Sequence, residues 1–130
     1  ARLLRQDFQT FDAAYLDANV ARVIRDATGG VMGFYSLLIP GRGADGEAEL
    51  DFMFVANDLQ GQGIGRTLFD DMRAVAHTLS LTRVHIVSHP PSELFYVANG
   101  ARRVAMLAPA KRVTWARPYL TLELEPDNRP

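Results

Sequence analysis

Residues 60–66 read Gln-Gly-Gln-Gly-Ile-Gly-Arg, a few positions after the largely apolar run Leu50-Asp51-Phe52-Met53-Phe54-Val55. A helical pattern, Ile64, Leu68, Met72, Val75 and Leu79, begins at once. Strand, glycine turn and helix N-terminus in that order make an anion site, because the N–H groups of the turn are free and the helix dipole favours negative charge there. Glycine lets the backbone approach a phosphate closely. The chemistry to expect at this turn is the binding of a phosphate or pyrophosphate.

Other chemistry is limited by what the chain lacks. There is no cysteine, which excludes disulfides, thiolate zinc sites and cysteine nucleophiles. The histidines, His77, His85 and His89, do not have metal-ligand spacing. His85 and His89 share a parity on one strand, but no carboxylate stands at a suitable offset, so ordinary surface or core roles and no metal are expected. Net charge is −1, so nothing points to nucleic acid or an anionic membrane. Of 14 basic residues only Lys111 is a lysine, which removes any phosphate motif that needs one near residue 66.

The elements that position the turn follow from pattern. At 130 residues one domain spanning 1–130 is expected, large enough for a real core. Phe11 to Ala18 reads as a short helix with Thr10 as N-cap and Asn19 as stop. Val20–Asp26 and Val31–Ile39 read as a hairpin around Thr28-Gly29-Gly30. Glu49–Val55 is a third strand, Gly63–Leu79 the main helix and Arg83–Ser88 the next strand, a βαβ unit whose strands should be parallel. Pro90-Pro91-Ser92 opens a second helix, Ser92–Asn99, with Gly100 as its stop. Arg103–Leu107 and Tyr119–Glu125 are late strands, with a loop holding Pro109, Trp115 and Pro118 between them. The expected class is a mixed α/β domain with an antiparallel start and a parallel middle. No apolar run reaches membrane-spanning length and no signal peptide is visible, so a cytoplasmic location is the default expectation. The chain begins at Ala1 rather than methionine, as expected of a piece of a longer protein.

Three phosphate-binding families compete for the turn. A P-loop needs G-x-x-x-x-G-K-[ST], but position 66 is Arg and the spacing differs. A dinucleotide fingerprint needs G-x-G-x-x-G; here the glycines are 61, 63 and 65, and the spacer Ala56–Gln60 is long for that turn. Gln60-x-x-Gly63-x-Gly65, in contrast, resembles the Q/R-x-x-G-x-G/A signature of the GNAT N-acetyltransferases. Phe95-Tyr96-Val97-Ala98-Asn99-Gly100-Ala101 resembles the family's F-Y-x-x-x-G-F/A helix end. The resemblance covers roughly residues 20–125.

The resemblance implies the GNAT fold, acetyl-CoA as co-substrate and an amine of a small molecule or peptide as acceptor. The N–H groups of Gly61, Gln62, Gly63, Ile64, Gly65 and Arg66 would cradle the pyrophosphate, next to Gln60, with the Arg66 guanidinium as a charged contact. The pantetheine arm would bond to open strand-edge groups at Phe54 and Val55, near Met53. Tyr96 takes the place of the general acid beside the CoA sulfur. Glu49 is the candidate base, six residues before Val55, and Asp51 is its rival nearer the thioester. Strand alternation puts Glu49, Asp51, Met53 and Val55 on one face if no bulge intervenes. His89, at the end of the strand after the helix, is a further candidate for substrate binding or base.

The chain also departs from the family. Pro90-Pro91 stands where many relatives place an Asn that contacts CoA, with Ser92 as a replacement, and Ala101 stands where many carry an aromatic. Only about 19 residues precede the hairpin, so the N-terminal elements that normally build the acceptor pocket are incomplete. Either they lie outside this chain or a partner, such as a second copy in a homodimer, supplies the wall. The competing functions are a non-catalytic acyl-CoA-binding sensor module and a nucleotide-phosphate binder.

Overall fold

The structure, a computed structural model, describes residues 7–11, 20–110 and 114–124. In chain order its elements are β1 (Asp7–Phe11), β2 (Val20–Arg25), β3 (Val31–Leu38), β4 (Glu47–Val55), α1 (Ile64–Thr78), β5 (Arg83–Val87), α2 (Glu93–Ala98), β6 (Arg102–Leu107) and β7 (Arg117–Glu123). Single 3-10 turns, Asn57–Leu59 and Pro90–Ser92, lead into the two helices. The strands form one sheet in the order β1-β2-β3-β4-β5-β7-β6. Among the described residues β4–β5 is the one parallel pair, the pair that the crossover through α1 requires. The mixed α/β class is as expected.

The largest difference is at the start. Thr10 and Phe11 lie in β1, which runs antiparallel to β2 from Asp7↔Arg25 to Phe11↔Ala21. Pairing along an open sheet edge satisfies the backbone of Thr10 and Phe11, so the expected helix does not begin at Phe11. The rest of the expected helix, 12–19, falls outside the described residues. The hairpin turn is pinned by Asp26, whose carboxylate accepts from the Thr28 N–H and hydroxyl and the Gly30 N–H at 2.7–3.0 Å. Pro118, expected in a loop, is inside β7 opposite Met106. Proline fits there because β7 pairs with β5 only from Tyr119 onward, so its missing N–H falls before that ladder begins.

The core lies between the sheet and α1. Ala48, Leu50, Val84, Ile86, Leu120 and Leu122 face Ile64, Leu68, Phe69, Met72 and Ala76 of the helix. The buried stripe swings to Ala76, and Leu79 is exposed, because the helix ends at Thr78 before its last turn comes back over the sheet. α2 joins this layer through Phe95, edge-on to Phe69 at 6.1 Å. Its N-terminal residue Glu93 takes a two-pronged bond from Arg103 of β6 at 2.6 Å, which holds the Glu93 carboxyl below the usual range.

One polar network ties α1 to the hairpin. Arg22 donates Nε and Nη2 to the two oxygens of Asp71 at 2.9 and 2.8 Å. Tyr35, fully buried, donates its hydroxyl to Asp71 at 2.7 Å. Burial, and then the bond to Asp71, push the Tyr35 pKa well above the ordinary tyrosine value. Asp71→Ala should lower stability by about 2–3 kcal/mol, because it strands a buried hydroxyl and a guanidinium. Adding Tyr35→Phe should recover about 1 kcal/mol by removing the stranded hydroxyl. Urea unfolding of the three variants checks this; a double variant no more stable than Asp71→Ala would contradict it.

Candidate functional site

Parallel pairing of β4 with β5 runs from Glu47↔Arg83 to Leu50↔Ile86 and stops. β4 continues to Val55 with only β3 beside it among the described residues. Register against β3 shifts at the same place: Leu37 pairs with Leu50 but Ser36 with Phe52, so Asp51 is an extra residue. Such a bulge bends a strand and re-aims its side chains. The inward positions accordingly change from Ala48 and Leu50 to Met53 and Val55, and Phe52 and Phe54 turn to the opposite face beside Phe34.

Two expectations change with it. Glu49, Asp51, Met53 and Val55 do not share a face. Nor does Phe54 offer its backbone to the opening. The Ala56 N–H donates to Met32 O at 2.9 Å, so by the alternation of an antiparallel ladder Phe54 directs its main-chain groups at β3. Met53 and Val55 direct theirs away, into the gap that β5 leaves. The Val55 carbonyl there accepts from the Gln60 side-chain amide at 2.9 Å, so Gln60 clips the turn to the strand end.

The gap opens into a cleft of ≈ 480 Å³ lined by Met53, Val55, Leu59, Gln60, Gly61, Gly63, Gly65, Arg66, Pro91, Ser92, Phe95 and Tyr96. The glycine turn therefore faces Tyr96 across one space. Gly63 is the N-cap of α1 in the left-handed region, φ +81°. No atom lies within 4 Å of where a Cβ on Gly61 or Gly63 would stand. The N–H groups of Ile64, Gly65 and Arg66 belong to the first helical turn and have no partner within it. Gln62 differs, donating its N–H to Leu59 O at 3.3 Å. Arg66 is highly exposed, with only a 3.9 Å approach to Asp70, a pair too long and wet to hold it. Gly65 meets the ring of Phe95, whose atoms lie 3.2–3.3 Å from its Cβ position.

Tyr96 is half-buried and stacked among Phe69 and Phe95. No partner for its hydroxyl is found among the described residues, and burial raises its pKa. Neither Glu49 nor Asp51 lines this cleft. They line a second cavity of ≈ 330 Å³, with Arg42, Leu50, Val87, Ser88, His89, Trp115 and Arg117. Glu49 accepts from the Arg42 N–H at 3.0 Å and lies 3.5 Å from its guanidinium. The two cavities flank the stretch Leu50–Met53, so the structure brings Tyr96 together with the turn and the carboxylates together with His89, in separate spaces. A larger groove, ≈ 750 Å³, runs between α1 and β7 along Arg73, His77 and Leu122, away from the turn.

Sequence reasoning missed two features. Trp115 and Arg117 reach the second cavity from a segment expected to be loop; their position depends on β7 and is not visible in local pattern. His85 does have a carboxylate: Glu47 lies 2.7 Å from its Nε2, and the Tyr119 hydroxyl 2.6 Å from its Nδ1. These partners come from neighbouring strands, so spacing along the chain could not show them. The Glu47 pKa is lowered, first by His85. Among the described residues no group of three or more His, Asp or Glu could hold a metal ion.

Among the described residues, the parallel β4–β5 pair parts beside a glycine turn. The acetyltransferase (GNAT) domain family matches residues 17–101, and the chain belongs to this family. Solved structures show the same fold. An IAA acetyltransferase from Bacillus cereus superposes with a TM-score of 0.77 at 17% identity, over 92% of this chain and 100% of that one. The ribosomal-protein-S18-alanine N-acetyltransferase from Escherichia coli gives 0.74 at 13%, over 97% and 99%. A spermidine N-acetyltransferase chimera, partly from Vibrio cholerae, gives 0.70 at 19%, over 85% and 71%. At these identities the likeness concerns the fold alone. No curated protein sequence matches the chain.

Gly63→Ala should lower stability by about 1 kcal/mol, because a Cβ is strained at positive φ although space for it exists. Urea unfolding reads the change; equal midpoints would mean that the turn relaxes freely.

Proposed function

We propose that the protein transfers an acetyl group from acetyl-CoA to an amine of a small molecule or peptide. The observation that carries this is the single cleft in which the glycine turn, the open edge of Met53 and Val55, and Tyr96 meet. The N–H groups at 61 and 63–66, with Arg66, hold the pyrophosphate, and the missing lysine is no obstacle because the donors are backbone. The main-chain groups of Met53 and the Val55 N–H bond the pantetheine arm, the Val55 carbonyl being held by Gln60. In the transfer the amine nitrogen bonds to the thioester carbonyl carbon and the carbon–sulfur bond breaks. Tyr96 donates its hydroxyl proton to the departing sulfur. Asp51 or Glu49, across Leu50–Met53, takes the ammonium proton, directly or through water. Asp51 is exposed and has no side-chain partner among the described residues, whereas Arg42 already engages Glu49. A cytoplasmic enzyme in which a second copy completes the acceptor wall is consistent with this reading.

Acetyl-CoA at 100 times its Kd should stabilise the fold by about 2.7 kcal/mol. A thermal shift with ATP or NAD but none with acetyl-CoA would sink the proposal. A shift without acetyl transfer to any amine would favour a binding module. In an active enzyme Tyr96→Phe should lower kcat by about 10²-fold with little change in acetyl-CoA affinity. The raised Tyr96 pKa sets the sign of the pH dependence. The proton is present below its folded pKa and lost above it, so the Tyr96 limb of kcat lies above about pH 10. A limb well below pH 10 that vanishes in Tyr96→Phe would contradict the assignment. Of Asp51→Asn and Glu49→Gln, the base is the one that lowers kcat the more; unchanged rates in both would remove the two carboxylates from the mechanism.

A further inference from the structure

The second cavity has an uneven charge inventory. Arg42 and Glu49 neutralise each other on its rim. That leaves Asp51 and Arg117 on its wall. Neither side chain has a hydrogen bond or ion pair among the described residues. The Arg117 Nε is shielded from solvent and has no acceptor among the described residues. A buried donor without an acceptor is unfavourable, and more so on a charged group, and the charge of this guanidinium, on the wall of the cavity, favours an anion among the acceptors that could meet its outer nitrogens. The remaining lining is aromatic: Trp115 stands edge-on to His89 at 6.2 Å and is about half exposed, 47%.

We infer that the acceptor is an aminocarboxylate, its carboxylate held by Arg117, its ammonium met by Asp51 and its body laid against Trp115 and His89. This rests on the transferase reading above and names the acceptor class for it. A guanidinium presents a planar fork that matches a carboxylate with two parallel bonds. One unpaired cation and one unpaired anion in a single small cavity complement a zwitterion. A polyamine would set a second cation against Arg117, and a phosphate dianion would set its extra charge against Asp51. The cavity, ≈ 330 Å³, suits an acceptor of about amino-acid size.

The test uses the whole chain with acetyl-CoA and four acceptors: phenylalanine, phenylalaninamide, phosphoethanolamine and spermidine. Phenylalanine should exceed its amide in kcat/KM by about tenfold or more, mainly through KM, as loss of a charge-assisted bond requires. Arg117→Met should bring that ratio close to one, and Arg117→Lys should keep part of it. Calorimetry with N-acetylphenylalanine and its amide, CoA present, reads the same preference without turnover. Equal affinities, a ratio that survives Arg117→Met, or better use of the amide, phosphoethanolamine or spermidine would overturn the inference. Transfer without the acid preference defeats this inference alone, whereas failure to bind acetyl-CoA defeats the transferase reading.

Discussion

Asp51 has no residue opposite it in β3, where Leu37 pairs with Leu50 and Ser36 with Phe52. One extra residue at this point decides what the rest of β4 can do. Before it, Ala48 and Leu50 fill the core and β4 is zipped to β5. After it the inward parity has changed, the parallel ladder has ended, and Met53 and Val55 carry main-chain groups with no strand beside them. Unbroken alternation would have put Phe52 and Phe54 under α1 and left no such edge. The cleft is thus a consequence of register, and its floor is backbone that the sheet has stopped using.

The helices keep that opening from closing. α1 is fixed to the sheet's other half by Asp71, which gathers Arg22 and Tyr35, and to the strand end by Gln60 on the Val55 carbonyl. α2 leans its Phe95 ring onto Gly65, close enough that the absence of a side chain there is a packing requirement. The two short motifs, some thirty residues apart in sequence, are therefore one contact in space. That contact places Tyr96 opposite the turn, while Arg103 anchors the start of the same helix through Glu93.

Legibility in the sequence followed the range of the interactions. The turn, α1, the hairpin around Gly29 and the parallel β4–β5 pair depend on neighbours in sequence or on a crossover rule, and all were readable. The bulge was not, because Leu50-Asp51-Phe52 carries no glycine or proline to mark it. The expectation that Glu49, Asp51, Met53 and Val55 share a face held only without a bulge, and the bulge also leaves the main-chain groups of Phe54 directed at β3. β1 was missed because its backbone is satisfied by β2, a partner in another segment, and that pairing reaches Phe11, the first residue of the expected helix. The Glu47–His85–Tyr119 chain and the Trp115–Arg117 wall exist only once β7 lies beside β5. In each case the unreadable part is a contact between strands whose order the sequence does not state.

The same geometry separates the charges that the proposed reaction must keep apart. On the turn side the donors are neutral N–H groups and one solvated arginine, which attract an anionic phosphate without neutralising any acid nearby. Tyr96 sits on that side in an environment that disfavours its phenolate, so it holds its proton at neutral pH. A thiolate leaving a thioester is about as basic as a phenol, so the proposed donation hands over the proton only as the carbon–sulfur bond breaks. The carboxylates line the other cavity, on the far side of Leu50–Met53, where the ammonium of the proposed acceptor would meet them and not Tyr96. A proton can then be removed at one cavity and delivered at the other without the two groups exchanging it directly. The bulge lies where β4 parts from β5, and that is the place at which a single strand has the proposed acid on one flank and the proposed base on the other.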